Sequence, residues 1–272
     1  MSGERPVLVA AGGTGGHVFP ALAVIDELRA RGRPVVLLTD ARGRRYLPPE
    51  LPGVTVHEVA AASPSGGLLH ALRAAVRLLA GAGEAAGVLA RTRPAAAGLF
   101  GGYAAVPALA ACVLGRVPLL RHEQNAVLGR ANRLAARFSR ILALSFCDTE
   151  RVPPRLAARV RVTGNPVRPG FAAAAAEERG TDGRLRLLVT GGSQGARIFG
   201  EVVPAALALL PEELRRRIVL WMQVREEQLE GVRAAVSPLV AESEVRPFFA
   251  DLDRRLCAAD LALTRAGAST VA

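Results

Sequence analysis

A glycine-rich segment that ends in a histidine is the first part of the chain that could do chemistry: Gly12-Gly13-Thr14-Gly15-Gly16-His17. Glycine lets a backbone approach a phosphate closely, and the free N–H groups of a helix start favour an anion. Thr14 can add a hydroxyl donor, and His17 can titrate near neutral pH and move a proton. A tight packing turn followed by a packed imidazole explains the same residues, so both interpretations stay open.

Polar residues follow two later apolar runs, at 95–100 and 117–121. After the first run come Gly101-Gly102-Tyr103, which can form a second turn of backbone donors. After the second come His122-Glu123-Gln124-Asn125, at the carboxyl end of a predicted strand. Open α/β sheets place ligand groups there. We interpret both segments as parts of a ligand site, with a polar loop as the alternative for the second.

Three further segments contain candidate ligand groups: Gly164-Asn165-Pro166-Val167-Arg168, Gly191-Gly192-Ser193-Gln194-Gly195 and Arg265-Ala266-Gly267-Ala268-Ser269-Thr270. Arg168 can hold a diphosphate through two parallel hydrogen bonds, but a solvated linker arginine fits equally well. In the second segment, Ser193 adds a hydroxyl to another phosphate-type turn. The third segment is a turn of small residues between a strand and a helix.

The elements that must position these motifs alternate between strands and helices. Apolar runs predict strands at 6–11, 34–39, 54–59, 95–100, 117–122 and 140–144. Helices are predicted at 20–31, 68–91, 106–114 and 129–138. This order is typical of βαβ units around a parallel sheet.

The opening pattern recurs after a change of composition at 164–183, which is rich first in turn formers and then in Ala, Glu and Gly. Such a segment is typical of a domain joint. Residues 188–195 then repeat the strand and glycines of 8–16. We therefore predict two similar α/β domains, at 1–163 and 164–272. The second domain continues with predicted strands at 217–222 and 260–264 and helices at 226–235 and 252–258.

Composition limits the classes of function. The chain has 272 residues, enough for two modest domains, and half of them are hydrophobic. Its net charge of +11 comes entirely from arginine, which favours anionic phosphates or an anionic membrane surface as partners. The arginines are scattered and form no nucleic-acid motif, so we expect no nucleic-acid partner. The 3 cysteines are far apart, and they indicate neither a disulfide framework nor a metal site.

Residues 68–91 combine leucines with Arg73, Arg77 and Arg91. Such a helix can lie on an anionic bilayer with its arginines at the headgroups. It can equally be a surface helix that buries its apolar face in the core. We expect part of the helix to pack on the core and part to contact a membrane.

Taken in order, the six motifs resemble those of one family, and the resemblance covers essentially the whole chain. They look like the glycosyltransferase family 28 enzymes that add N-acetylglucosamine to undecaprenyl-pyrophosphoryl-muramoyl-pentapeptide. The resemblance implies a GT-B fold, with two Rossmann-like domains that face a cleft. It also implies inverting transfer from UDP-N-acetylglucosamine to lipid I, giving lipid II, without a cofactor, at the cytoplasmic face of the bacterial inner membrane.

The resemblance also implies roles for residues of this chain. The first domain binds lipid I and the membrane, and the second binds UDP-N-acetylglucosamine. His17 is the leading candidate for the general base and Glu123 the second. The other implied contacts with acceptor or donor are made by Thr14, Gly15, Gly16, Tyr103, Asn125, Arg168, Ser193, Phe249, Ala268, Ser269, Thr270 and Val271. Among these, Phe249 falls where the family packs a residue against the uracil.

Two departures from the family pattern leave details of nucleotide packing open. A His-Gln pair is replaced by Trp221-Met222-Gln223, and an acidic pair is missing after Phe249. The family's ribose-binding glutamate would follow Ala272, so we expect the second domain to be incomplete and to bind donor weakly.

Three alternatives remain. Asp40, at the end of a predicted strand, could bind a ribose in a nicotinamide enzyme. The chain could also be a related GT-B enzyme with another lipid acceptor. Finally, it could be a non-catalytic fragment that binds a sugar nucleotide.

Overall fold

The structure is a computed structural model that describes residues 4–63, 67–168, 170–171, 182–192, 195–267 and 270. It divides into two compact units, 1–168 and 169–271. The division falls after Arg168, within the segment 164–183 that composition indicates as a joint. Each unit has its own parallel sheet and its own apolar core.

The first unit contains a seven-stranded sheet. Its strands are β1 (Val7–Ala11), β2 (Val35–Thr39), β3 (Val54–Glu58), β4 (Ala96–Gly101), β5 (Leu119–Glu123), β6 (Ile141–Leu144) and β7 (Val160–Val162). They lie in the order β3-β2-β1-β4-β5-β6-β7, and all neighbouring pairs are parallel. The chain moves outward from β1 to β3 and then returns to β4 on the other side of β1. The loops after β1 and β4 therefore flank the switch point where open α/β sheets bind ligands.

The described helices of this unit are α1 (Gly15–Ala30), α2 (Ala41–Arg44), α3 (Leu68–Thr92), α4 (Ala105–Leu114) and α5 (Arg130–Ala136). A short 3-10 helix, Pro154–Arg159, precedes β7. The sequence predicted a helix from residue 20, but α1 begins at Gly15 and contains Pro20. Proline removes only one backbone donor, which a helix of 16 residues tolerates. The first glycine turn consequently leads straight into α1.

Both faces of the central strands are buried, which explains their unbroken apolar sequences. On one face, Leu8, Leu38 and Leu99 pack with buried residues of α3 and α4. On the other face, Val9 and Leu37 pack with buried residues of α1. The core thus lies on both sides of the sheet and holds the carboxyl ends of β1, β2 and β4 in fixed register.

The second unit contains a four-stranded parallel sheet in the order β10-β9-β8-β11. Its strands are β8 (Leu185–Thr190), β9 (Ile218–Gln223), β10 (Glu242–Arg246) and β11 (Leu261–Thr264). Its described helices are α6 (Arg197–Ala208), α7 (Glu212–Arg215), α8 (Leu229–Val236), which follows a 3-10 turn at Glu226–Gln228, and α9 (Leu252–Ala258). The prediction of two α/β units with parallel sheets is confirmed. The sequence did not predict α2, α7, β7 or β10.

Candidate functional site

The glycine turns after β1 and β4 pack against each other. A Cβ atom on Gly102 would lie 2.1 Å from the carbonyl oxygen of Gly12, and one on Gly12 would lie 2.9 Å from the Cβ of Ala104. Gly102 also has a φ of 75°, which residues with side chains rarely adopt. Gly12 and Gly102 are therefore needed for close packing, as a tight packing turn requires, and they bring the two turns together at the switch point.

A buried carboxylate, Asp40, fixes the first glycine turn. Its Oδ1 accepts hydrogen bonds from the N–H of Gly13 at 2.8 Å and from the N–H of Gly43 at 2.7 Å. The second bond caps α2, and Asp40 is 4% exposed. A carboxylate committed to two backbone amides does not face a ribose, so the nicotinamide alternative loses the observation on which it rested.

The start of α1 offers backbone donors. Thr14 is the N-cap in extended conformation, and its carbonyl accepts from the N–H groups of His17 and Val18, both at 3.1 Å. The first amides of a helix, here those of Gly15 and Gly16, have no acceptor within the helix and attract anions. Packing and anion binding are therefore compatible interpretations of this segment.

His17 lies half-buried between the glycine turns and the end of β5. Its Nδ1 is 3.4 Å from Oε1 of Gln124, whose Nε2 donates to the carbonyl of Phe100 at 2.7 Å. Burial lowers the pKa of His17 below its ordinary 6.5, although the contact with Gln124 and the charge of Glu123 act in the opposite direction. The imidazole is therefore neutral at neutral pH, the form that can accept a proton.

Glu123 is buried, with 1% of its surface exposed, and its carboxylate holds the loop after β5. Oε1 accepts from the backbone N–H of Asn125 at 3.1 Å and from its Nδ2 at 2.9 Å. Oε2 accepts from Nδ2 of Asn132 at 2.6 Å and from the N–H of Gly129 at 3.3 Å. Four donors thus converge on one carboxylate. This geometry suits a group that positions the exposed Asn125 better than a general base.

A buried arginine completes this network. Arg121 donates through Nε to Oδ1 of Asn132 at 3.0 Å, so Asn132 bridges the guanidinium and the carboxylate of Glu123. Burial lowers the pKa of Arg121 to about 10, and the charge of Glu123 opposes that shift. The charge of Glu123 thus compensates the burial of the Arg121 guanidinium.

Two further predicted residues lie close to this site. The hydroxyl of Tyr103 accepts from Ser63 at 2.8 Å, and the guanidinium of Arg42 lies 5.5 Å from the centre of the Tyr103 ring. The guanidinium of Arg168 lies 5.1 Å from the centre of the Phe19 ring on α1. Arginine side chains therefore lie beside the first glycine turn and beside α1, where a diphosphate would benefit from them.

His122 holds the segment that leads to Arg168. Its Nε2 is 3.1 Å from the carbonyl of Gly164, and its ring packs 5.5 Å from that of Phe100. Burial lowers the pKa of His122, so its imidazole is neutral at neutral pH. His122 thus has a structural role. Within the motif His122-Glu123-Gln124-Asn125, the first three residues are buried and fix neighbouring segments, and Asn125 is exposed.

In the second unit, buried polar side chains connect the carboxyl ends of β8 and β9 to the segment after β10. Thr190 donates to Oε1 of Gln223 at 2.6 Å, and Nε2 of Gln223 donates to the carbonyl of Pro247 at 3.1 Å. The N–H of Gly192 is 3.4 Å from Oγ1 of Thr190. The second glycine turn is thereby tied to its neighbours, while Ser193 within it lies outside the described residues.

Phe249 is buried by neighbouring side chains of the second unit. Its ring is 3% exposed, and the guanidinium of Arg255 lies 4.4 Å from the ring centre. Arg255 is itself held by Asp251 at 3.0 Å and lies 5.2 Å from the centre of the Trp221 ring. A ring that is covered in this way is not available to stack on a uracil. The contact implied for Phe249 stays a prediction, and its ring would have to be uncovered to make it.

The predicted residues of the last turn fall largely outside the described part of the chain: Ala268, Ser269 and Val271. Thr270 is described, and its N–H donates to the carbonyl of Gly267 at 2.8 Å. Within the described ranges, no group of three or more His, Cys, Asp or Glu side chains is placed to hold a metal ion.

Sequence reasoning missed three positioning residues. Asn132 was placed only within a predicted helix, Gln223 was noted only as a departure from a pattern, and Asp40 was given a different role. No local signal identifies them, because each acts through partners that only the tertiary fold brings close. The spacing of the glycines, by contrast, did identify the turns that these glycines form.

The comparisons with known proteins cover the whole chain. Residues 7–143 match the glycosyltransferase family 28 N-terminal domain, and residues 186–272 match the C-terminal domain of that family. The UDP-N-acetylglucosamine--N-acetylmuramyl-(pentapeptide) pyrophosphoryl-undecaprenol N-acetylglucosamine transferase of Paramagnetospirillum magneticum is 48% identical, over 100% of this chain and 74% of its own length. The transferase of the same name from Rhodospirillum centenum is 46% identical, over 98% and 71%.

Solved structures agree. The crystal structure of Acinetobacter baumannii MurG aligns with a TM-score of 0.68 and 29% identity, over 98% of this chain and 75% of that one. A UDP-GlcNAc 2-epimerase from Neisseria meningitidis aligns with a TM-score of 0.63, but at 13% identity it shows the fold alone. With both family domains matched in order, the resemblance stated from the motifs is confirmed: the chain belongs to glycosyltransferase family 28.

Proposed function

We propose that this chain transfers N-acetylglucosamine from UDP-N-acetylglucosamine to lipid I, the undecaprenyl-pyrophosphoryl-muramoyl-pentapeptide, and so forms lipid II for peptidoglycan. The observation that carries the proposal is that relatives 46–48% identical across this chain are named for that transfer. The geometry of the first unit supports it, because anion-binding amides and a neutral histidine lie together at the switch point.

His17 is the proposed general base. The 4-hydroxyl of the muramic acid attacks C1 of N-acetylglucosamine, the bond from C1 to the UDP oxygen breaks, and the hydroxyl proton moves to the imidazole. A base must be neutral before this step, and burial keeps His17 neutral. The amides of Gly15 and Gly16, with Thr14, would hold the diphosphate of the lipid acceptor.

The second unit is the proposed donor-binding unit. Its glycine turn at 191–195 precedes α6, and Ser193 and Arg168 are the residues that family resemblance places near the donor phosphates. Stabilising the charge on the leaving UDP needs donors fixed in advance. The buried contacts of Thr190 and Gln223 provide such fixation for the turn.

Glu123 is proposed to position Asn125 and not to act as the base. With Nδ2 of Asn125 donating to the carboxylate, its amide oxygen is the group left for a hydroxyl or amide of a substrate. An exposed side chain with one fixed orientation suits recognition of a sugar.

A coupled assay of the purified chain tests the reaction. We expect UDP release only when UDP-N-acetylglucosamine and a lipid I analogue are both present, with a product of the mass of the corresponding lipid II. His17→Ala should lower turnover by ~10²–10⁴-fold, while His57→Ala, on β3 away from the site, should not. Transfer to a diacylglycerol in place of lipid I would support the related-enzyme alternative. Donor binding without any transfer would support the binding-fragment alternative.

Membrane attachment is proposed through the first half of α3. Leu69, Leu72, Val76 and Leu79 are 57–73% exposed and recur along one side of the helix. Arg73 and Arg77 are exposed beside them. No helix in the described ranges has the length and apolar character that crossing a membrane requires. An apolar stripe flanked by arginines suits a helix lying at the headgroup level of an anionic surface.

Sedimentation with vesicles tests this attachment. We expect binding to vesicles with anionic lipid, weaker as salt rises because the arginine contribution is screened. Replacing Leu72 and Val76 by serine should weaken binding at all salt concentrations. Leu209→Ser is the control, since Leu209 is also exposed, at 86%, but lies in the second unit. Equal binding of the α3 variant and the control would contradict the proposal.

A further inference from the structure

Gln124 lies buried between a backbone carbonyl and the candidate base. It is 2% exposed, and its Nε2 lies 2.7 Å from the carbonyl oxygen of Phe100. A carbonyl oxygen can only accept a hydrogen bond, so the nitrogen of the amide must face it. The orientation of the Gln124 amide is therefore determined, and its oxygen is on the side of His17.

The amide oxygen determines which nitrogen of His17 carries the proton. Oε1 of Gln124 lies 3.4 Å from Nδ1 of His17. Because this oxygen is also only an acceptor, Nδ1 must be the N–H of the neutral ring, and Nε2 then has the free lone pair. The glycine at 101 allows the contact, since a Cβ there would lie 2.8 Å from Nδ1 and displace the ring.

We infer that Gln124 is a positioning residue that holds His17 as the Nδ1–H tautomer and so makes Nε2 the atom that accepts the acceptor's proton. The role of Nε2 rests on the proposed function, whereas the tautomer does not. Without Gln124 the ring loses the side-chain acceptor that faces Nδ1 and keeps only its contact with the backbone of Phe100, so the preference for Nδ1–H weakens.

The other buried histidine provides an internal comparison. Nε2 of His122 faces the carbonyl of Gly164 at 3.1 Å, so His122 must be the Nε2–H tautomer. Its Nδ1 has no hydrogen-bond partner among the described residues. The same rule thus assigns opposite tautomers to His17 and His122. In each ring, the nitrogen that faces a carbonyl oxygen carries the proton.

Ring nitrogen NMR of the ¹⁵N-labelled chain at neutral pH tests the assignment directly. The chain has 4 histidines, and the spectra of His17→Ala and His122→Ala identify the two signals. We expect Nδ1–H for His17 and Nε2–H for His122 in the unchanged protein. Nε2–H as the major form of His17 would overturn the inference without any variant of Gln124.

Variants of Gln124 test causation. Gln124→Met removes the side-chain acceptor at similar volume and should increase the Nε2–H share of His17, with the backbone contact to Phe100 unchanged. Gln124→Glu keeps an acceptor facing Nδ1 and should retain Nδ1–H. In kinetics, Gln124→Met should lower kcat by roughly 10–10²-fold, less than the ~10²–10⁴-fold expected for loss of the base, with the KM for UDP-N-acetylglucosamine changed by less than about twofold. Gln124→Glu should recover part of kcat.

The outcomes separate the two claims. Gln228→Met, the same change in the second unit, is the control and should alter neither tautomer nor kcat. An unchanged Nδ1–H share in Gln124→Met would overturn the positioning role. If Gln124→Met does not fold, the unchanged protein and Gln124→Glu still decide. Full turnover in His17→Ala would refute His17 as the base and leave the tautomer assignment standing on its own spectrum.

Discussion

Replacing Glu123 by glutamine separates a scaffold carboxylate from a catalytic one. Glutamine has the same shape, but one of its two terminal atoms is an NH₂ group that cannot accept. Each oxygen of Glu123 accepts two hydrogen bonds, so either orientation of the new amide loses two of them. Asn132 cannot adapt by rotating its own amide, because its Oδ1 accepts from Arg121.

The expected cost follows from these contacts. A hydrogen bond to a charged group contributes about 1.5–3 kcal/mol, so two lost bonds give roughly 3–6 kcal/mol. Arg121 also loses the countercharge that compensates its burial, and breaking a buried pair costs about 3–5 kcal/mol in measured cases. Both estimates, from the lost hydrogen bonds and from the lost countercharge, are a large share of the roughly 5–15 kcal/mol free energy of unfolding of a typical domain.

Urea unfolding can measure this loss of stability for the first structural unit separately from the second. The single tryptophan, Trp221, is in the second unit, and both tyrosines, Tyr46 and Tyr103, are in the first. Near-ultraviolet tyrosine signals therefore follow the first unit, and tryptophan fluorescence follows the second as an internal reference. With a slope of about 1–3 kcal/mol per molar urea, Glu123→Gln should lower the tyrosine midpoint by at least about 1 M.

A matched control and a clear contrary result complete the test. Glu84→Gln changes an exposed carboxylate that accepts from one backbone amide, that of Ala60, and should shift the midpoint little. Activity of Glu123→Gln should fall together with stability and with binding of the acceptor. If the tyrosine midpoint stays where it is while turnover is lost, the reasoning fails and Glu123 takes part in proton transfer.

Three further predictions follow from the same contacts. The kcat of the transfer should fall on acidification with an apparent pKa below 6.5, because His17 must lose its proton to act and burial lowers its pKa; a pH–rate profile checks this. The free energy of unfolding should also fall as pH drops below 6.5, because the unfolded state takes up protons at His17 and His122 that the folded state binds only at lower pH; urea titrations at several pH values measure it. Gln223→Leu should raise the KM for UDP-N-acetylglucosamine roughly tenfold, equivalent to about 1.4 kcal/mol, with little change in kcat, because it releases Thr190 and the second glycine turn; steady-state kinetics would contradict this by showing a lower kcat at constant KM.

The sequence predicted those elements whose pattern is local. The central strands are buried on both faces, so their apolar runs indicated them directly. The strands that were missed, β7 and β10, lie at sheet edges, and Glu242–Arg246 is largely polar because much of it faces solvent. The predicted start of α1 was wrong because Pro20 was interpreted as the first helical residue, whereas the helix begins at Gly15.

The site divides in the same way. Glycine spacing and a following histidine are local signals, and they located the turns and His17. The role of Glu123 depends on Asn132, nine residues away on α5, and the burial of Phe249 depends on Arg255. Such partners are chosen by tertiary packing, which no spacing in the sequence encodes.

The interlocked turns at the switch point have an entropic consequence. Asp40 holds the amides of Gly13 and Gly43, and Gly12 and Gly102 are in contact, so three loops are ordered before any ligand arrives. Ordering one backbone residue costs about 1–2 kcal/mol, and here that cost is met during folding. An incoming diphosphate therefore meets a rigid cradle and loses little affinity to loop ordering. Hydrogen exchange should report this as slow exchange at Gly13, in a loop where fast exchange is the rule, and at Gly43 in the single-turn helix α2.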